Sequence, residues 1–188
     1  MAIKEKIILG IDPGTTVMGY GLISCQGQDI TLIQFGVIHL SKYNSHELKL
    51  KKIYDRVSEL IAEYLPDEVA LEAPFYGKNV QSMLKLGRAQ GVAMVAALNK
   101  DIPIQEYAPR RVKQSVTGNG NASKEQVCSM IQTLLKFKDA PKLMDATDAL
   151  AVALCHFFSA GVGGGGTTHK KKTSWKAFVS DNQGRIKS

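Results

Sequence analysis

Apolar and polar residues follow a strand-like pattern over the first forty positions. Residues 7–11 form a short apolar run that leads into Asp12-Pro13-Gly14, which indicates a buried strand followed by a turn. Residues 17–25 and 30–40 are rich in β-forming side chains, and Gly27-Gln28-Asp29 lies near the turn between them. These segments therefore predict the first three strands of the fold, joined as an antiparallel meander.

Helical spacing then replaces the strand pattern. Apolar side chains recur every three or four positions up to Pro66, which ends this first helix: Leu50, Ile53, Val57, Leu60, Ile61 and Tyr64. Residues 69–71 predict a fourth strand that runs into Glu72. Asn79 can cap a second helix that reaches about residue 100. Its first half is amphipathic through Val80, Met83, Leu84 and Gly87, and residues 91–98 are apolar all round, which predicts burial on several sides.

The last part of the pattern completes an α/β fold. Residues 102–107 predict a fifth strand, and Pro109 begins a short helix that ends near Gly118. Ser123 caps the next helix, and a final helix spans about residues 142–160. Hairpin strands followed by strands that alternate with helices predict a mixed five-stranded sheet with helices on both faces. We expect one domain over residues 1–160 and a disordered glycine- and lysine-rich tail over residues 161–188.

Charge and composition narrow the class of protein. The net charge is +7, but residues 167–188 carry +5 of it, so the first 166 residues are nearly neutral. Residues 78–124 still hold eight basic and two acidic side chains, a local excess that suits a polyanion but is also common on protein surfaces. No leader or membrane span is recognisable, so we expect a cytoplasmic protein without membrane contact. Cys25, Cys128 and Cys155 are too scattered for a disulfide framework or a metal site.

Four acidic residues occupy unusual positions. Asp12 and Glu72 each end an apolar strand, and Asp145 and Asp148 lie three residues apart, on one face of an otherwise apolar helix. Each acid alone could be a turn residue, a helix-start residue or half of an ion pair. Together they favour a site for hard divalent cations, because carboxylates without histidine or cysteine suit such ions and two ions can bridge one phosphate.

Ordered motifs around these acids resemble the RuvC family of bacterial Holliday junction resolvases. The motifs lie between about residues 7 and 158: Ile8-Leu9-Gly10-Ile11-Asp12-Pro13-Gly14, Gly19-Tyr20-Gly21, Glu72-Ala73-Pro74-Phe75, Asn79, Leu84-Lys85-Leu86-Gly87, Gly91-Val92-Ala93, Glu106-Tyr107-Ala108-Pro109, Val112-Lys113-Gln114 and Asp145-Ala146-Thr147-Asp148-Ala149-Leu150-Ala151. Each motif alone is loose, whereas the ordered set is specific.

The resemblance implies a ribonuclease H-like fold and a homodimer that makes paired, metal-dependent cuts in two opposed strands of a four-way junction. It implies two Mg²⁺ ions per subunit, for which Mn²⁺ is expected to substitute, and a branch-migration motor complex, RuvA and RuvB, as a partner. The four acids match the family's catalytic carboxylates, although some members have histidine at the position of Asp145.

Further residues match the family's DNA-binding positions. Lys113 and Lys124 match basic residues near the scissile phosphate, and Phe75 matches an aromatic residue that stacks on bases of the opened junction. We also expect DNA contacts from four neighbours in or beside the basic region: Tyr76, Lys78, Arg110 and Arg111. The small residues Gly87, Ala89, Gly91 and Ala93 on the second helix suggest a dimer contact, with ordinary core packing as the alternative.

Three other functions compete with a junction nuclease. Residues 10–16 resemble the first phosphate-binding hairpin of the actin and hexokinase superfamily, but no second copy of the hairpin follows residue 40. A non-catalytic junction binder would not need four clustered acids. A nuclease of ribosomal RNA precursors shares the fold, but Phe75 and the Lys113 segment match the junction enzymes better.

Overall fold

A five-stranded mixed sheet forms the centre of the computed structural model, which describes residues 5–74, 79–137 and 144–162. The strands are β1 (Lys6–Asp12), β2 (Val17–Gln26), β3 (Asp29–His39), β4 (Glu68–Glu72) and β5 (Ile104–Tyr107). They lie in the order β3-β2-β1-β4-β5, with β1, β2 and β3 antiparallel and with β4 and β5 parallel to β1. The predicted mixed sheet is confirmed, and the carboxyl ends of β1, β4 and β5 share one edge.

The described helices are α1 (His46–Tyr64), α2 (Val80–Leu98), α3 (Pro109–Thr117), α4 (Lys124–Leu135) and α5 (Met144–Val162). Their ends follow the predicted signals. Asn79 accepts a hydrogen bond from the Ser82 amide, and Ser123 and Gln126 form a reciprocal capping box at the start of α4. Gly118, with a φ of 75°, ends α3 in the left-handed conformation that glycine adopts without strain.

Helices cover both faces of the sheet. Leu9, Ile11 and Leu71 point to one face and pack in the core with α1 and α2. Ile8 and Ala70, which alternate with them along β1 and β4, point to the other face and pack with α3, α4 and α5. The fold therefore has three layers, as predicted, and the sheet carries a core on each side.

Glycines in β1 and β2 allow α5 to lie directly on the sheet. A Cβ atom at Gly10 would lie 2.2 Å from the main-chain oxygen of Ala149, and a Cβ atom at Gly19 would lie 1.9 Å from that of Asp145. No real side chain fits at such distances. Because Gly19 pairs with Asp12 across the two strands, this contact places the first turn of α5 beside the end of β1.

The prediction for the second half of α2 is wrong. Ala89, Ala93, Ala96 and Ala97 are buried, but Val95 is 56% exposed and Leu98 is 55% exposed. They belong to a row of residues at spacings of three and four that faces away from the core, here called the outer face of α2: Val80, Leu84, Gly87, Gly91, Val95 and Leu98. The second half of α2 is therefore apolar on all sides because one side packs in the core and the other side exposes a row of apolar residues.

The remaining predictions fare as follows. Residues 161 and 162 belong to α5, and the rest of the predicted tail lies outside the described residues, as does the predicted start of the last helix. All three cysteines are free. Among the helices that the structure describes, none combines the length and apolarity that crossing a membrane requires.

Candidate active site

Three of the four predicted acids meet at the edge of the sheet where β1 ends. Asp12, Asp145 and Asp148 each offer a carboxylate oxygen, and these oxygens all lie within 4.8 Å of one another. Asp12 comes from the last position of β1, and the two aspartates of α5 reach it because the glycines of β1 and β2 let the helix approach. The spacing of three residues on α5 aims both carboxylates at the same point.

The fourth acid, Glu72, lies in the same cavity. The cavity has a volume of about 190 Å³, and its walls include Asp12, Glu72 and Asp148 together with Lys113 and Lys124. Glu72 ends β4, the parallel neighbour of β1, so both strand-end acids arrive from the same direction. Glu72 lies outside the three-acid cluster but close enough to interact electrostatically with Asp12 and Asp148.

Burial and crowding raise the pKa values of the two strand-end acids. Burial, followed by repulsion from Glu72, Asp148 and Asp145, raises the pKa of Asp12 from 3.8 to about 8. Burial and repulsion from Asp148 raise the pKa of Glu72 from 4.5 to about 7, against the opposing attraction of Lys124 and Lys113. Such shifts are expected where carboxylates share a partly desolvated space.

Two lysines supply the positive charge of the cavity. The Nζ atom of Lys124 donates a hydrogen bond of 2.6 Å to Asp148, which raises the pKa of Lys124. The Nζ atom of Lys113 donates a hydrogen bond of 2.9 Å to the main-chain oxygen of Ala122, in the segment that precedes α4. The structure therefore brings both predicted lysines to the predicted acids.

The predicted DNA-contact residues fall into two groups. Arg110 and Arg111 are exposed on α3, and Arg111 lies within 3.5 Å of the Ser159 hydroxyl of α5. Phe75, Tyr76 and Lys78 lie outside the described residues. A larger groove of about 710 Å³ runs beside α4. Among the described residues that line it, Glu125 is the single acid, so this groove is separate from the acidic cluster.

Sequence reasoning missed one buried polar residue behind the site. Gln90 of α2 is only 5% exposed, and its Nε2 atom lies 3.3 Å from the main-chain oxygen of Glu72 and 2.5 Å from a carboxylate oxygen of Glu106. The signal was available, since a polar side chain stands one position after Ala89 and three before Ala93, on the face that the alanines assign to the core.

The donor set fits a hard divalent cation. The site presents carboxylate oxygens, and no histidine or cysteine appears among the described residues that line the cavity. Oxygen ligands of this kind suit Mg²⁺, Mn²⁺ or Ca²⁺ rather than zinc or copper. A cation would also relieve the mutual repulsion that raises the pKa values of Asp12 and Glu72.

Comparisons with known proteins find one matching family and several similar relatives. Residues 8–156 match the family described as Crossover junction endodeoxyribonuclease RuvC. A protein of that name from Cytophaga hutchinsonii is 60% identical over 98% of this chain and 90% of its own length, and one from Porphyromonas gingivalis is 56% identical over 100% of both. The structure of Thermus thermophilus RuvC in complex with a Holliday junction substrate is similar, with a TM-score of 0.79, 34% identity, and coverage of 84% of this chain and 96% of that one.

Proposed function

Because the chain belongs to the Crossover junction endodeoxyribonuclease RuvC family, we propose that it resolves Holliday junctions by hydrolysing phosphodiester bonds in two opposed strands. The observation that carries the proposal is the cluster of Asp12, Asp145 and Asp148, with Glu72 in the same cavity and two lysines on its wall. A cavity of this composition serves phosphoryl chemistry, in which negative charge must be neutralised. The biological setting is homologous recombination and DNA repair.

The four acids would hold the metal, for which Mg²⁺ is proposed, as two ions per subunit with Mn²⁺ as a substitute. When bound there, such ions would supply the positive charge that lowers the pKa of water and offsets charge on phosphate oxygens. Asp12 and Glu72 must lose their protons to act as ligands, so their raised pKa values make metal binding release protons. Asp148, which accepts a hydrogen bond from Lys124, would be the third acid to hold the cation, together with Asp145.

The lysines would hold the scissile phosphate. An ammonium group has three protons, and Lys113 uses one of them on the Ala122 carbonyl, which fixes its position and leaves two for phosphate oxygens. Lys124 donates one proton to Asp148, and its other protons would be available for the same task. Both groups would offset the charge that develops as the phosphodiester bond breaks.

Two paired cuts require two copies of the site, and the outer face of α2 is the surface proposed for a homodimer. It exposes large apolar side chains, with Val80 64% and Leu84 52% exposed. A Cβ atom at Gly87 or Gly91 would meet nothing within 4 Å, so a second backbone could approach closely there. Ala89 and Ala93 of the predicted contact are buried in the core and do not belong to it.

DNA would reach the cavity across the end of α3. Arg110 and Arg111 are proposed to contact phosphates, and Phe75, Tyr76 and Lys78 are proposed contacts by the family resemblance. The same resemblance suggests a branch-migration motor complex, RuvA and RuvB, as a partner.

The test is cleavage of a synthetic four-way junction, prepared four times so that a different strand is labelled in each preparation. We expect symmetric nicks in two opposed strands with Mg²⁺ and none in EDTA. Asp12→Asn and Glu72→Gln should lower the cleavage rate by about 1,000-fold, because several kcal/mol of transition-state stabilisation depend on the metal. Both variants should still bind the junction.

The matched control is Asp29→Asn, which removes an exposed acid at the first position of β3 and should cleave like the wild type. A linear duplex of the same sequence should remain intact. Binding without cleavage by the wild type would instead identify a non-catalytic junction binder, and cleavage that survives Asp12→Asn would refute the proposed metal site.

A further inference from the structure

Gln90 is a buried amide on the opposite side of the sheet from α5. Glu72 follows Ala70 by two positions and, like it, directs its side chain toward the α5 face, where it reaches the acidic cavity. Gln90 belongs to α2, whose buried face packs on the other side of the sheet. The end of β4 is therefore enclosed between the helix that carries two acids and the helix that carries Gln90.

The two protons of the Gln90 amide have different partners. One points toward the main-chain oxygen of Glu72 at 3.3 Å, and the other toward the Glu106 carboxylate at 2.5 Å. Glu106 pairs with Leu71 in the parallel ladder of β4 and β5, so the two acceptors lie on neighbouring strands. One amide thus joins α2, β4 and β5 at the edge of the sheet where the acids gather.

The next main-chain group adds to this connection. The Ala73 amide donates a hydrogen bond of 2.8 Å to the main-chain oxygen of Tyr107. The Glu72 carbonyl belongs to the last residue of β4. A ligand at the end of a strand needs an outside group to fix its main chain, and Gln90 supplies that group.

We infer that Gln90 is a positioning residue, which holds the main chain of Glu72 so that its carboxylate stays aimed at the cation. The inference rests on the proposed role of Glu72 as a metal ligand. Groups that orient a metal ligand commonly change metal affinity or activity by about 10–100-fold when they are removed. If Gln90 only stabilised the fold, its substitution would lower the free energy of unfolding and would leave the contribution of Glu72 to metal affinity unchanged.

The experiment measures Mn²⁺ affinity by calorimetry on the intact protein without DNA, together with thermal unfolding. Gln90→Met keeps the length of the side chain and removes both donors. We expect it to weaken Mn²⁺ binding by about 10-fold. In a Glu72→Gln background, the same change should have almost no further effect on Mn²⁺ binding, because the ligand through which Gln90 acts is already lost.

Three further variants keep the test decisive if Gln90→Met does not fold. Glu106 is exposed, so Glu106→Met removes one partner of the amide at little risk to the core, and it should weaken Mn²⁺ binding in the same direction. Glu106→Gln keeps an acceptor oxygen and should restore most of the affinity. Gln132→Met on α4 makes the same chemical change outside the cavity lining and should leave the affinity unchanged.

Unchanged Mn²⁺ affinity in folded Gln90→Met and Glu106→Met would overturn the inference. An equal loss of affinity with and without Glu72 would overturn it as well, because Gln90 would then act by another route. Failure of the proposed function gives a different result: the wild type would not cut junctions, whatever its affinity for Mn²⁺.

Discussion

Asp12→Asn should stabilise the metal-free protein even though it greatly lowers the rate of cleavage. The folded protein keeps the Asp12 proton up to a pH of about 8, because burial and then the charges of Glu72, Asp148 and Asp145 oppose ionisation. The unfolded chain loses this proton near pH 3.8. The folded state therefore becomes progressively less stable, relative to the unfolded state, as the pH rises between these two values. An asparagine carries no charge at any of these pH values.

The size of the effect follows from the interval between the two pKa values. At pH 7 the Asp12 carboxyl is ionised in the unfolded chain and protonated in the folded one. At about 1.4 kcal/mol per pH unit above pH 3.8, this difference lowers the free energy of unfolding by about 4 kcal/mol. We expect Asp12→Asn to recover at least about half of this amount, since Glu72 also titrates in the same space. The gain should be small at pH 4, should grow up to pH 8 and should level off above it.

The assay is urea unfolding followed by circular dichroism in EDTA, from pH 4 to pH 8 and at one fixed protein concentration. Asp29→Asn is the matched control and should change stability little at any pH. Added Mg²⁺ should stabilise the wild type more than Asp12→Asn, because only the wild type keeps the full ligand set. A variant that is less stable than the wild type at pH 7, or a difference that does not grow with pH, would refute the electrostatic reasoning.

Three further predictions concern the ion pairs of Glu68, the proposed dimer contact and the glycine beneath α5. Partial burial raises the pKa of Glu68, but hydrogen bonds from Lys6, at 2.5 Å, and from His156 outweigh it and lower that pKa overall. The stability that Glu68 provides is therefore present above pH 4.5 and is lost as the pH falls through its lowered pKa. Glu68→Gln should lower stability at pH 7 by about 1–2 kcal/mol, and thermal unfolding measured at a series of pH values should show a smaller loss of stability toward acid pH than in the wild type. An equal loss of stability toward acid pH in both proteins would contradict this. The side chain of Gly91→Leu would point into open space in a single subunit, so the fold should stay intact. If the outer face of α2 forms the dimer contact, sedimentation should show a larger fraction of monomer than in the wild type. An unchanged fraction of dimer would exclude this face as the contact. Gly19→Ala places a Cβ atom against the main chain of α5, so it should lower the free energy of unfolding in urea by more than about 2 kcal/mol and remove most of the cleavage activity. Gly87→Ala is the control, because it has free space around it and should not destabilise a single subunit.

Local patterns predicted the sheet well because they record burial directly. The signals were local in each case: the apolar run of β1, the β-forming side chains of β2, the three-and-four spacing of α1, and the caps at Asn79 and Ser123. The four acids were also predictable, since a carboxylate at the end of an apolar strand or inside an apolar helix needs a compensating partner.

Contacts between distant parts of the chain were harder to predict. The apolar residues of α2 suggested burial on all sides, because a sequence does not distinguish a surface that faces the core from one left uncovered, as Val95 and Leu98 show. Gln90 was overlooked because its partners on β4 and β5 become neighbours only after folding. The strand glycines were recognised as a motif, but the need for them appears only when α5 is laid on the sheet.

The glycine contact beneath α5 also determines when the site can exist during protein synthesis. Asp12 and Glu72 emerge from the ribosome long before α5, which supplies Asp145 and Asp148 and follows every other described element in the chain. Until α5 is made and has settled on Gly10 and Gly19, the strand-end acids remain hydrated and have no third or fourth ligand. A chain under synthesis therefore cannot assemble the proposed metal site before the last helix of the described fold is made, and we expect the ability to cut DNA to arise only then.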